Sequence, residues 1–213
     1  MIIERRLRSY PVFATPDMNI RDASDLMKNN KLHRLPVISE GTLVGIISEK
    51  DILRATPSPA STLSTFEVNY LASKLKVKDI MSRKPVCISK NTTVEEAAAL
   101  MVNQDLSCLP VMENDKLVGI VSKSDMFRIL LELFGSGTYG VRIEFLVENK
   151  PGTIAEITHA IAVKGIDIIS FGTFSGTEPT NAICTVKVRN CTKSEILDVI
   201  KPFVTEILDV REV

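Results

Sequence analysis

The sequence predicts an α+β protein in which a duplicated strand–helix–hairpin–helix unit is followed by a different βαββαβ domain. Three observations support this fold class. Shifting the 213-residue chain by 74 positions aligns Pro11–Arg54 with Pro85–Arg128 without a gap, and 17 of the 44 pairs are identical. The repeat stops after Phe134, where GSGTYG supplies three glycines in six residues. Strand-like and helical runs then alternate to the end of the chain.

Each copy has the same order of predicted elements. A short strand, PVFAT or PVCIS, precedes a helix in which apolar residues recur at helical spacing, such as Ile20, Ala23 and Met27. Two apolar segments joined by a turn (LPVI and LVGIIS, LPVM and LVGIVS) predict a hairpin, and EKDILRA or KSDMFRILLELF predicts a second helix. Because one copy cannot cover its own sheet, we expect the two copies to pack as a pseudo-twofold pair. The register also extends upstream and pairs Ile3 with Val77.

The domain boundaries follow from these patterns. We predict a first copy at residues 1–56, a second copy at 76–134, a glycine-rich hinge at 135–140 and a ferredoxin-like βαββαβ domain at 141–213. Between the copies, residues 57–75 begin with a Pro/Ser/Thr loop and continue as a predicted linker helix. The apolar positions of that helix are Phe66, Tyr70, Leu71 and Leu75.

Composition excludes several classes of function. Lys+Arg and Asp+Glu both total 26, so a net charge of zero argues against non-specific DNA or RNA binding. The charged N-terminus does not fit a signal peptide, and no apolar run approaches the ~18 residues of a membrane span, so we expect a soluble, cytoplasmic protein. The four cysteines lack CxxC spacing and the two histidines are isolated, so we expect no metal site.

The repeated segments GIISEKD and GIVSKSD have two interpretations. In the structural one, Ser48 caps the following helix and Asp51 closes a capping box worth ~1 kcal/mol, as do Ser122 and Asp125. In the functional one, the helix N-terminus and the serine hydroxyl meet a phosphate, while the carboxylate accepts hydrogen bonds from a ribose diol. The sequence leaves both open.

The repeated motifs LPVI…LVGIISEKD and LPVM…LVGIVSKSD, with KVKDIMSRKPVCI before the second, resemble CBS domains, and two in tandem resemble a Bateman module. The resemblance implies two βαββα units with AMP, ADP, ATP or S-adenosylmethionine as a regulatory ligand in the cleft between them. It also implies which residues bind that ligand: Ser48, Asp51, Ser122, Asp125, His33, Arg34, Pro36 and Pro110. His33 and Arg34 correspond to Ser107 and Cys108, so we expect unequal clefts. Alternatively, His33 is a partly buried imidazole and Arg34 a solvated guanidinium.

The tail segment VRIEFLVENKPGTIAEITHAIAVKGIDI resembles an ACT domain, with Thr153 and Glu156 as a capping box. The resemblance implies either an amino-acid site or a domain that only assembles subunits. That site would comprise Asn149, Lys150, Pro151, Gly152, Thr153 and Ile154. The order of two CBS copies and an ACT domain resembles the bacterial acetoin utilization proteins, which implies a role in regulating acetoin catabolism.

No catalytic motif accompanies these segments, so we expect no catalytic residues, no catalytic cofactor and no enzymatic activity. We predict a ligand-sensing regulatory protein, with an assembly protein that has vestigial pockets as the alternative. A homodimer is expected because outer helices and open sheet edges favour association.

Overall fold

The computed structural model describes residues 1–6, 12–56 and 74–213, which form two compact units, Met1–Met126 and Phe127–Val213. The predicted linker-helix positions Phe66, Tyr70 and Leu71 lie outside the described residues.

The N-terminal unit contains the first repeat and the second repeat as far as Met126. The elements of the first copy are α1 (Ile20–Asn29), β1 (Arg34–Ser39), β2 (Thr42–Ser48) and α2 (Glu49–Ala55). Those of the second are α3 (Val77–Ile80), β3 (Ser82–Arg83), β4 (Ile88–Ser89), α4 (Val94–Asn103), β5 (Cys108–Glu113), β6 (Lys116–Ser122) and α5 (Lys123–Leu133). The predicted helices and hairpins are therefore confirmed in both copies.

The first predicted strand of each copy is shorter than expected. PVFAT forms a single parallel bridge between Ala14 and Val37, and PVCIS forms the two-residue strand β4. In the first copy the Ala14 amide donates to the Pro36 carbonyl and the Ala14 carbonyl accepts from Ile38 N, but Pro36 has no N–H to donate to the part of the segment before Ala14. The proline of the LPV motif therefore limits how far the neighbouring segment can pair.

Each copy is completed by a segment that precedes the other copy. We call residues 1–4 leader 1 and residues 75–78 leader 2. Ile3 of leader 1 is buried in the core of the second copy, whereas Val77 of leader 2 is buried in the core of the first. The sequence predicted that Ile3 and Val77 are equivalent, but it did not predict this exchange.

The segment after leader 2 also joins the first copy. Strand β3 pairs with β2, so the first sheet has the order β1-β2-β3. At this contact a Cβ atom on Gly45 would lie 2.8 Å from both Met81 Sδ and the Ser82 carbonyl oxygen. A glycine is needed in β2 because the neighbouring backbone approaches so closely. The second sheet has the order β4-β5-β6.

The C-terminal unit confirms the predicted βαββαβ topology. Its elements after α5 are β7 (Val141–Glu148), α6 (Thr153–Val163), β8 (Asp167–Ser175), β9 (Asn181–Arg189), α7 (Lys193–Ile200) and β10 (Glu206–Glu212). The sheet order is β10-β7-β9-β8, and every neighbouring pair is antiparallel. Apolar residues on one face of β7 and β9 pack against Ile157, Ile161 and Ile196 of the two helices. This is the split βαβ arrangement.

The predicted capping box of α6 is wrong. Gly152, with φ of 97°, is the N-cap residue, and Thr153 is the first residue of the helix. Thr153 is buried, and its hydroxyl donates to the Glu148 carbonyl at 3.1 Å. The left-handed turn at Gly152 places the threonine one position further into the helix, so Thr153 cannot cap it.

The glycine-rich segment 135–140 contacts the C-terminal sheet. Lys187 Nζ on β9 donates to the Gly135 carbonyl at 3.2 Å, and Gly140 exchanges two backbone hydrogen bonds with Val213. A hinge within 135–140 stays a prediction. None of the helices among the described residues is long and apolar enough to cross a membrane.

Candidate functional site

Both Ser-x-x-Asp segments form capping boxes. Asp51 N donates to Ser48 Oγ at 3.3 Å, and Ser48 N donates to Asp51 Oδ2 at 2.8 Å. The second copy repeats this arrangement at Ser122 and Asp125, with distances of 3.3 and 2.9 Å. The structural interpretation of the repeated motif is therefore confirmed at both helix N-termini. We refer to these two pairs as the Ser–Asp corners.

The serine hydroxyls also donate to the carboxylates. Ser48 Oγ lies 2.6 Å from Asp51 Oδ2, and Ser122 Oγ lies 2.6 Å from Asp125 Oδ2. Because a hydroxyl carries one proton, neither serine can donate to a phosphate until it rotates away from its aspartate. Asp51 Oδ1 has no hydrogen-bond partner among the described residues. It is available as an acceptor.

The two Ser–Asp corners come together within the N-terminal unit. Register pairs Ser48 with Arg34 across the first hairpin and Ser122 with Cys108 across the second. Arg34 and Cys108 are equivalent residues of the two copies and lie close to each other. Burial raises the pKa of the Cys108 thiol, and the nearby Arg34 guanidinium opposes this shift. Strands β2 and β6, which end at the two serines, also contact each other.

Charge is distributed unequally around this meeting point. Arg34 is half-buried and forms no ion pair with any residue that the structure describes, whereas the equivalent Cys108 carries no fixed positive charge. A half-buried guanidinium without a carboxylate partner is suited to an anionic group such as phosphate. The first copy therefore supplies a positive charge that the second copy lacks.

The other predicted nucleotide-site residues lie differently. The His33 side chain is 81% exposed, with Nδ1 2.8 Å from Glu49 Oε2, so the alternative of a partly buried imidazole is wrong. Pro36 and Pro110 are buried in the middle of β1 and β5, where they pair with Ile46 and Ile120. The structure thus places Arg34 opposite Ser48 and near Cys108, the cross-strand partner of Ser122. It places His33 at the surface.

The predicted amino-acid site is only partly a cavity. A cavity of about 410 Å³ in the C-terminal unit includes Asn149 and Lys150 of the six predicted residues. Its lining is Leu146, Glu148, Asn149, Lys150, Thr180, Asn181 and Thr205. Lys150 Nζ lies 2.7 Å from Glu148 Oε2 and holds the pKa of that carboxyl below its usual value. Sequence reasoning missed Glu148, Thr180 and Thr205, which only strand pairing brings together.

A second cavity, of about 490 Å³, lies in the second copy. It is lined by β4, by residues that flank β4 such as Cys87 and Lys90, and by the β5–β6 hairpin, including Asp115. Neither this cavity nor the one in the C-terminal unit includes a Ser–Asp corner.

Family comparison matches the two copies directly. The family model of the CBS domain matches residues 4–58 and 77–132, which is just over half of the chain. This chain belongs to the CBS domain family. The match ends at residue 132, and the ACT resemblance of residues 141–213 stays a prediction.

Three solved structures resemble this chain. CBSX2 of Arabidopsis thaliana in complex with AMP has a TM-score of 0.50 and 28% identity, covering 61% of this chain and 96% of that chain. The CBS pair of MJ0100 in complex with 5-methylthioadenosine and S-adenosylmethionine has a TM-score of 0.51 and 26% identity, covering 61% and 99%. A Vibrio cholerae protein designated an acetoin utilization protein (AcuB) has a TM-score of 0.53 and 25% identity, covering 62% and 92%. The resemblance to AcuB is therefore distant.

Proposed function

We propose that this protein is a non-catalytic regulatory sensor that binds an adenosine nucleotide or S-adenosylmethionine between its two CBS copies. The observation that carries the proposal is that the strands ending at the two Ser–Asp corners contact each other, with Arg34 near Cys108 and without an ion pair among the described residues. The structures of CBSX2 with AMP and of MJ0100 with S-adenosylmethionine support it, because both are CBS pairs with an adenosyl ligand.

The chemistry of the corner suits a ribose phosphate. A carboxylate oxygen has two lone pairs, so Asp51 Oδ1 can accept hydrogen bonds from a vicinal diol while Oδ2 stays in the capping box. The α2 N-terminus and Arg34 favour a phosphate near the same strand end. A phosphate that accepts from Ser48 Oγ would replace the 2.6 Å bond to Asp51. Ligand binding is thereby linked to the cap of the helix, and a regulatory response requires that its two arrangements bind the ligand differently.

The test of this proposal replaces both aspartates, in a chain carrying Asp51→Asn and Asp125→Asn. Asparagine keeps an acceptor oxygen for the capping box, so stability should change little. It removes the negative charge that accepts from the ribose, so affinity for AMP or another adenosyl ligand should fall at least about tenfold. Isothermal titration calorimetry with AMP, ADP, ATP and S-adenosylmethionine measures the affinity of both chains.

The matched control uses the capping boxes of α4 and α7, where Glu96 and Glu195 accept from Thr93 and Thr192. A chain with Glu96→Gln and Glu195→Gln loses two carboxylates of the same role away from the corners and should bind normally. Undiminished nucleotide affinity in the aspartate double variant would refute the assigned role.

The alternative is an assembly protein with vestigial pockets, in which the Ser–Asp corners are caps only. A thermal-shift screen with the same four compounds separates the two functions. A ligand at 100 times its dissociation constant stabilises a folded protein by ~2.7 kcal/mol. The assembly protein would show no shift with any of them.

Further features belong to the proposal. We propose an amino-acid site at Asn149, Lys150, Pro151, Gly152, Thr153 and Ile154, favoured by the cavity that Asn149 and Lys150 line. A role in acetoin catabolism is supported by the distant similarity to AcuB.

We also propose a cytoplasmic homodimer. Its association is supported by exposed apolar residues at equivalent positions of α2 and α5, where Leu53 is 73% and Phe127 64% exposed. The domain boundaries given above are proposed with it.

A further inference from the structure

The two leaders dock by the same backbone hydrogen bonds, displaced by 74 residues. In leader 1, Ile3 N donates to Thr92 O at 2.9 Å and Glu4 N donates to Lys90 O at 3.1 Å. In leader 2, Val77 N donates to Met18 O and Lys78 N donates to Pro16 O, both at 2.9 Å. The central residues Ile3 and Val77 are both fully buried. Backbone and apolar contacts therefore provide little to distinguish one leader from the other.

The side-chain charges do distinguish them. In the first copy, the carboxylate of Asp17 accepts hydrogen bonds from two lysines of leader 2, Lys78 Nζ at 2.8 Å and Lys76 Nζ at 3.2 Å. In the second copy, Lys90 Nζ donates to Glu4 of leader 1 at 2.9 Å and also lies 2.6 Å from Glu113. Glu4 and Lys78 are equivalent positions, yet their charges are opposite. Their partners are opposite in charge as well: Glu4 contacts the cation Lys90, whereas Lys78 contacts the anion Asp17.

We propose that these reversed charges sort the leaders, so that leader 1 is accepted by the second copy and leader 2 by the first. If each leader docked on its own copy, Glu4 would take the place of Lys78 and face Asp17, while Lys78 would face Lys90. Both contacts would join like charges, which is an effective way to reject a wrong partner. Because each leader crosses to the other copy, sorting also ties the two copies together.

The ionisation of these groups agrees with close pairing. Hydrogen bonds from Lys78 and Lys76 hold the pKa of Asp17 below its usual value. Glu113 and Glu4 together raise the pKa of Lys90 to about 12. Both shifts favour the charged forms of Asp17 and Lys90 at neutral pH.

The experiment measures how often each leader opens. Ile3→Cys and Val77→Cys place a thiol at the buried position of leader 1 or leader 2, and such a thiol reacts with a labelling reagent only when its leader undocks. Peptide mass spectrometry reads the labelling rate at each position separately from the native cysteines. The Val77→Cys thiol is the matched control for changes made to leader 1.

Three charge variants are compared in these backgrounds. E4K places a lysine against Lys90, and the pair K90E/E113K reverses the charge presented to leader 1 while keeping its own ion pair. Each should increase labelling of the Ile3→Cys thiol about fivefold, the effect of replacing an exposed attraction by a repulsion. Neither should change labelling of the Val77→Cys thiol.

The combined chain E4K/K90E/E113K restores opposite charges with reversed sign. Labelling of the Ile3→Cys thiol should then return to within about twofold of the rate with native charges. If the combined chain opens as fast as the separate variants, or if the separate variants do not open faster, charge does not sort the leaders and the proposal is overturned.

Discussion

Ser48 and Ser122 show how one residue type serves two purposes. The motif Ser-x-x-Asp predicts a capping box from sequence alone, and the structure confirms it in both copies. The same motif does not reveal that the hydroxyl proton is already committed to the carboxylate at 2.6 Å. That detail changes the expected chemistry, because each serine must first rotate before it can donate to a ligand, whereas Asp51 Oδ1 can accept directly.

Arg34 provides a prediction about the phosphate. It is the half-buried cation at the meeting point of the two copies, so Arg34→Gln should weaken AMP binding about tenfold, the value of a charged hydrogen bond. Adenosine has no phosphate, and its affinity should stay the same. Calorimetry with the two ligands measures the difference.

Lys116→Gln is the control for Arg34→Gln. It removes the same charge at the exposed first residue of β6, whereas Ser122 is the last residue of that strand. An equal loss of affinity for AMP and adenosine in Arg34→Gln would show that the arginine supports the fold of the cleft and does not contact phosphate.

At the scale of elements, periodic apolar patterns predict the helices, but they do not predict how far a strand pairs with its neighbour. Helix α1 was predictable because Ile20, Ala23 and Met27 repeat at helical spacing, and all three are buried. The strand predicted at PVFAT is reduced to one bridge with Val37 because the neighbouring Pro36 has no N–H that could extend the pairing. Strand propensity describes a segment, but the length of a strand depends on the hydrogen-bonding groups of its neighbour.

Lys187 links β9 to the end of α5 and gives a prediction at this scale. Its side chain is only 5% exposed, and its Nζ donates to the Gly135 carbonyl at 3.2 Å. Lys187→Met keeps the length of the side chain but removes this hydrogen bond, and the Gly135 carbonyl keeps the Thr138 N–H donor at 3.3 Å. The C-terminal unit should therefore lose about 1 kcal/mol of stability, the net value of one hydrogen bond. Hydrogen exchange at the core amides of β9 reports the free energy of opening.

Lys164→Met, at the exposed end of α6, is the matched substitution and should change that free energy by less than about 0.5 kcal/mol. If Lys187→Met has no larger effect than Lys164→Met, the buried hydrogen bond does not stabilise the unit.

At the scale of the whole molecule, duplication predicted most of the N-terminal unit. A 74-residue offset with the same anchors in both copies requires the same fold twice, and the βαββαβ order of the tail predicted its sheet. The exchange of leaders could not be predicted, because Ile3 and Val77 have similar apolar side chains and either core would accept them. Only the charges beside them differ, and their partners Asp17 and Lys90 are identified by tertiary contact.

The convergence of the Ser–Asp corners was likewise an expectation that needed the tertiary structure. It depends on the packing of β2 against β6 and on the proximity of Arg34 to Cys108, which no local pattern contains. The proposed function therefore requires that these two corners bind a sugar phosphate together.

The most direct measurement of that claim is a crystal structure of the full chain grown with AMP. The account predicts ribose hydroxyls within hydrogen-bond distance of Asp51 or Asp125, and a phosphate near Arg34 and the adjacent helix N-terminus. A nucleotide bound elsewhere on the chain, or both corners empty with each serine still donating to its own aspartate, would contradict it.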